Sequence, residues 1–121
     1  MFKPFPMIQL PGPANTTNYI SMGHITDIVA IGNKTSIHTI GGGLVSTDMA
    51  IDQVVGLIRQ AGGVLLQYLD RSNRTGYLMA YHIGRIQADR KGNATIYYEG
   101  GSALTKMSVQ DVLQQLAALQ A

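Results

Sequence analysis

The 121-residue sequence has neither cysteine nor tryptophan. Without cysteine there can be no disulfide framework, no thiolate zinc site and no thiol nucleophile. Charge is scarce as well. Charged residues make up 13% of the chain, against roughly 25% in an average soluble domain. Nine Lys/Arg against seven Asp/Glu leave a net charge of only +2, which argues against a strongly cationic nucleic-acid binder. No apolar run approaches the ~18 residues needed to span a bilayer, so no membrane partner is expected. The stretch Met1–Pro6 carries one charge and two prolines, with no apolar segment before a cleavage site. The expected location is therefore cytoplasmic or within a virion, not secretion through a signal peptide.

Catalytic signatures are missing too. No serine lies in a Gly-x-Ser-x-Gly elbow. Gly41-Gly42-Gly43 lacks the following Lys-Ser/Thr of a phosphate loop and reads as a hairpin or bulge. His24, His38 and His82 show no metal-ligand spacing and read as strand residues bonded to backbone. The seven acids are scattered, and Asp48 and Asp52 suit a helix start. No enzyme activity, metal or cofactor is expected.

Proline is confined to positions 4, 6, 11 and 13. Because proline fixes φ and lacks a donor, residues 1–20 are expected to form an extended arm. The arm is apolar, and Phe2, Phe5, Ile8 and Leu10 are its candidate anchors on a neighbouring subunit.

The remaining residues, 21–121, read as one α+β domain with an internal repeat. His24-Ile25-Thr26-Asp27-Ile28-Val29-Ala30 aligns with His82-Ile83-Gly84-Arg85-Ile86-Gln87-Ala88 at an offset of 58 residues. Each copy continues through a polar break, a β-branched run, glycines and an apolar pattern at helical spacing. That pattern is Ile51, Val54, Val55 and Ile58 in the first copy, and Val109, Val112, Leu113 and Leu116 in the second. Unit one is placed at 22–62 and unit two at 78–121, with a linking strand and turn at 64–77. The expected fold is an antiparallel sheet built from two strand–turn–strand–helix units, with both helices on one face. The first helix should begin near Thr47 or Asp48 and end at Gly62-Gly63, and the second should be capped by Ser108. One long strand is expected from Tyr77 to about Ala88, its early part apolar on both faces. Asn-x-Thr triplets starting at Asn15, Asn33, Asn73 and Asn93 read as turn chemistry.

Most of the aromatic and basic content falls in one constellation: Tyr68, Arg71, Arg74, Tyr77, Tyr81, Arg85, Arg90, Lys91, Tyr97 and Tyr98. Two functional expectations follow. The first is a non-enzymatic, homo-oligomeric structural protein, a phage-type virion component that joins other assembly subunits through its apolar arm. The alternative is a nucleic-acid or nucleotide-binding module. In it Arg71, Arg74, Arg85, Arg90 and Lys91 hold phosphates, and Tyr77, Tyr81 and Tyr98 stack on bases.

Overall fold

One succession of elements occurs twice in the computed structural model, which describes residues 5–119. The first copy begins with a hairpin of β1 (Met7–Pro11) and β2 (Thr17–Ser21). A 3₁₀ turn at Met22–His24 leads into β3 (Ile25–Ile31), β4 (Lys34–Thr39), β5 (Gly43–Thr47) and α1 (Ile51–Gln60). The second copy repeats this order. Hairpin strands β6 (Leu65–Leu69) and β7 (Thr75–Met79) precede a 3₁₀ turn at Ala80–His82. Then come β8 (Ile83–Ala88), β9 (Asn93–Tyr98), β10 (Gly101–Ser108) and α2 (Val109–Leu119).

The correspondence extends to backbone detail. Asn15 and Asn73 close the two hairpin turns, each in left-handed geometry at φ 63, which asparagine tolerates better than most residues. The amide of Met22 donates to Pro6 O at 2.9 Å, and that of Ala80 to Val64 O at 2.8 Å. Both β3–β4 and β8–β9 shift register at their second residue, before Asp27 and before Arg85.

The repeat is therefore longer than the sequence pattern suggests. Residues 7–21 are not an extended arm but the first unit's hairpin, the counterpart of the linking strand and turn at 64–77. Pro11 ends a strand and Pro13 opens a short 3₁₀ turn, both positions where a missing N–H does no harm. Ile8 and Leu10 are buried in the chain's own core at 4% and 0% exposure, so neither anchors a neighbour. Phe5 stacks on Tyr81 within the chain, ring centroids 5.7 Å apart. Phe2 lies outside the described residues.

The described strands form three antiparallel sheets: β1–β2, β10–β9–β8, and a five-stranded sheet in the order β5–β4–β3–β7–β6. The five-stranded sheet joins the two units, because β3 of the first pairs with β7 of the second. Alternation along the second hairpin then divides the core. Leu65, Tyr77 and Met79 face one cluster with Ile25, Ile28, Ile37 and the α1 residues Val54, Val55 and Ile58. Leu66, Tyr68 and Leu78 face another with Ala94, Ile96, Ala103 and Val112 of α2. The two helices thus lie on opposite faces of this sheet, not on one face. Gly76 on β7 lies directly beneath the Tyr68 ring, where any Cβ would collide with it.

The expected long strand is broken at Ala80–His82, because there the chain passes from the five-stranded to the three-stranded sheet. Its early part, Tyr77–Met79, is covered on both sides as expected. The cap at Ser108 is present, its hydroxyl accepting from the Asp111 amide at 3.1 Å. The first helix starts later than Thr47 because that buried hydroxyl bonds Pro11 O at 2.9 Å and the Met49 amide at 3.2 Å. Among the described residues, no helix is long and apolar enough to cross a membrane.

Equivalent core positions are covered unequally, which urea unfolding of dilute protein can read. Ile28→Ala, at a fully buried site, is expected to cost about 2–5 kcal/mol. Ile86→Ala, at the matching but half-covered site, is expected to cost clearly less.

Candidate nucleic-acid interface

Two turns of the second unit are built alike. In the β6–β7 turn, Asp70 Oδ1 accepts from the amides of Ser72 and Arg74, both at 2.8 Å. Its Oδ2 accepts from Arg74 Nε at 3.0 Å. In the β8–β9 turn, Asp89 Oδ1 accepts from the amides of Lys91 and Asn93, both at 2.9 Å. Each turn has a left-handed residue three positions after its aspartate, Asn73 at φ 63 and Gly92 at φ 86. Such side-chain-to-backbone bonds fix tight turns.

Arg71 Nη2 donates to Asp89 Oδ2 at 2.9 Å and so pins one turn beside the other. Lys106 on β10 donates from Nζ to Asn73 Oδ1 at 2.6 Å. Arg71, Arg90, Lys91, Asn93 and Lys106 then line one open concavity of about 480 Å³, with Asp89 among them. Among the described residues, the side chains of Arg90 and Lys91 form no ion pair. Arg74 is exposed on the neighbouring turn. Five cations against Asp70 and Asp89 make this end of a weakly charged molecule electropositive, the arrangement that attracts phosphate oxygens.

The electrostatics of the two aspartates follow from these bonds. The Arg74 amide holds Asp70 below the usual carboxylate range against some desolvation, helped by the Ser72 amide and the Arg74 side chain. For Asp89 desolvation is the largest single effect and acts upward. The amides of Asn93, Lys91 and Gly92 and the Arg71 charge together outweigh it, and its pKa is lowered.

Among its described residues the first unit gathers no such group of cations; the hollow at the matching place holds Lys34, with Asp48 3.9 Å away. Its corresponding turns read Gly12-Pro13-Ala14-Asn15-Thr16 and Gly32-Asn33, without an acid or a base. A hollow of about 820 Å³ between the first hairpin and α1 is lined by Met7, Gln9, Asn15, Thr17, Asp48 and Leu57, among others, and among the described residues by no Lys or Arg.

The structure thus brings together Arg71, Arg90 and Lys91, with Arg74 beside them, and adds Lys106, which sequence reasoning missed. Alternation along β10, with Ala103 and Thr105 buried, turns Lys106 outward. The β9–β10 pairing and a bridge between Thr105 and Asp70 carry it to the turns. Arg85 stands apart. It sits four residues before Asp89 on β8, roughly 13 Å away at strand rise, and lies over the Tyr97 ring at 4.0 Å.

The tyrosines do not form a stacking platform. Tyr68 and Tyr77 are buried. Tyr81 packs on Phe5, and the Tyr98 hydroxyl is directed at Asp27. Stacking on bases by Tyr77 and Tyr98 is therefore blocked by burial and by an internal partner.

Asp27 is the centre of a second polar group, in the seam between the sheets. It is 5% exposed, and its Oδ1 lies 2.6 Å from His38 Nδ1. Burial raises the Asp27 pKa, while His38 and Tyr98 oppose the rise. Burial and the adjacent Asp27 charge push Tyr98 up to about 12, and Tyr68 is raised for the same reasons. His82 behaves as expected of a structural histidine, with Nε2 2.8 Å from Gly23 O.

No family model matches the sequence, and no curated protein does. Among solved structures, the fold is similar to the LytTR DNA-binding domain of a putative methyl-accepting/DNA response regulator from Bacillus cereus. The TM-score is 0.62 at 12% identity, covering 96% of this chain and 97% of that one. The chain has a mostly-β, LytTR-like fold with antiparallel sheets and two helices. The expectation of a virion structural component is overturned. Nearly the whole chain follows the fold of a DNA-binding domain, and the arm that suggested assembly is a hairpin belonging to the core.

The three aspartates should titrate apart when followed by carboxyl-detected NMR. Asp70 and Asp89 are expected below the ordinary ~3.9 and Asp27 above it. A lowered folded-state pKa means stability that is present above ~3.9 and lost as pH falls through the folded value. The raised Asp27 has the opposite sign, its ionisation costing stability as pH rises through its folded value.

Proposed function

We propose that this chain binds DNA, with the paired β6–β7 and β8–β9 turns as its contact surface. The observation that carries the reading is the convergence of Arg71, Arg90, Lys91 and Lys106 around one concavity on two rigidly held turns. The likeness in fold to a LytTR DNA-binding domain supports the same class of ligand.

The chemistry favours a duplex over an unpaired strand. Single-strand binders need exposed aromatic rings for base stacking, and here the tyrosines of the constellation are mostly engaged inside the chain. Exposed guanidinium and ammonium groups on tight turns instead suit the regularly spaced phosphates of a backbone. Arg71 can form paired hydrogen bonds to a phosphate if it exchanges Asp89 for it, whereas Arg90 and Lys91 need give up no partner. Asn93 supplies a neutral donor and acceptor at the same rim. Affinity is set by these few cations, so it should be modest and strongly dependent on salt.

Fluorescence anisotropy of a labelled duplex, repeated across a salt series, tests this. Four engaged cations give a slope of log K against log salt of roughly −3.6. Arg90→Ala and Lys91→Ala should each weaken binding on any sequence and flatten the slope by about 0.9. Arg85→Ala should leave both affinity and slope unchanged. Absence of binding at low salt, or binding that Arg90→Ala and Lys91→Ala together leave intact, overturns the reading.

A further inference from the structure

The two units are joined by an interface whose two halves both occur again, unpaired among the described residues, one in each unit. Within the molecule, the second hairpin adds to the first unit's sheet in the register Asp27↔Leu78, Ile28↔Tyr77 and Val29↔Gly76. Its outer face, Leu65, Tyr77 and Met79, is then buried in the first unit's core. The first hairpin has an outer face of the same construction. Met7 and Tyr19 occupy the positions of Leu65 and Tyr77, but they are 58% and 63% exposed where their counterparts are 1% and 7%. Strand β2, the counterpart of β7, pairs only with β1 among the described residues.

The receiving surface is also left over. Strand β8, the counterpart of β3, is an edge strand of its sheet. Ile25, Ile28 and Ile58 are fully buried in the first unit, whereas their counterparts Ile83, Ile86 and Leu116 are only partly covered. The contrast is largest for Val55, 4% exposed, and its counterpart Leu113, 52% exposed. Arg85, at the position of Asp27, lies flat over Tyr97. The edge carries unpaired backbone groups and an apolar floor, the combination that accepts an added strand.

Were the units related by a two-fold axis, β2 would pair with β8 inside the chain and close the structure. The described sheets show no such pairing. The relation is head-to-tail, and a head-to-tail contact leaves one free half at each end.

We infer that the chain self-associates head-to-tail: the first hairpin of one copy adds to β8 of the next, repeating the contact that already joins its own two units. The register carried over from the internal interface pairs Ile86 with Tyr19, Arg85 with Ile20 and Gln87 with Asn18. This surface is distinct from the buried Ile8 and Leu10 face of the hairpin. The β8 edge leads into the cationic β8–β9 turn, and the same register sets the first hairpin's turn beside it; the self-association itself requires no DNA.

The test is sedimentation velocity of the full 121-residue chain without DNA, up to near-millimolar concentration. The expected result is an average mass that rises with concentration past that of a dimer, as open-ended or ring assembly requires. Tyr19→Glu disables the hairpin and Leu113→Glu disables the receiving face. Both side chains are exposed, and circular dichroism should show each variant folded. Each alone is expected to stay monomeric, and an equimolar mixture to form a dimer and nothing larger, since one intact junction remains between them. A wild-type chain that stays monomeric throughout overturns the inference. So does a dimer that Tyr19→Glu leaves intact, or a mixture that shows no complex.

Discussion

Pairing of β3 with β7 is the constraint on which the rest of this molecule depends. The contact is short, three residues on each strand, yet it merges two copies of one supersecondary unit into a continuous sheet. It obliges the second hairpin to be apolar on both faces, as Leu65 and Leu66, or Tyr77 and Leu78, show side by side. It sends α1 and α2 to opposite sides. It also requires the chain to leave one sheet for another within three residues, which the 3₁₀ turn at Ala80–His82 does. Gly76 settles the packing inside that hairpin, since the ring of Tyr68, its cross-strand partner, lies where any Cβ would be.

Much of the local structure was legible in the residues. The repeat at His24-Ile25 and His82-Ile83, the left-handed turns at Asn15 and Asn73, the Ser108 cap and the two-faced strand at Tyr77 each rest on a signal within a few positions. What was not legible is non-local. Prolines at positions 11 and 13 read as an arm because proline usually opposes pairing, and only the hairpin register shows that both occupy permitted sites. The faces taken by the helices follow from β3–β7 pairing, which no periodicity encodes. The same holds for the cationic end. Arg71, Arg90 and Lys91 stood out as loop cations, but Lys106 joins them only through non-local pairing, the β9–β10 ladder and the Asp70–Thr105 bridge, and Tyr77 left the group because its face of the strand is internal.

The two units also divide their chemistry. The first holds a buried acid, Asp27, in its seam, and its two corresponding hairpin turns carry no charge. The second has Arg85 at the equivalent position and gathers cations on its turns. Backbone amides donating to Asp70 and Asp89 keep those turns in one shape, so the backbone that carries their cations is already ordered and less entropy is lost on contact with a ligand.

Only one of the two units carries cationic hairpin turns. In a row of copies joined end to end, cationic turns would recur on every second unit, with a neutral one between. The neutral unit then acts as a spacer of fixed length, and the distance between successive binding points is set by the fold of a single chain and not by a flexible linker. A chain of this design would favour DNA on which contact points recur at that pitch.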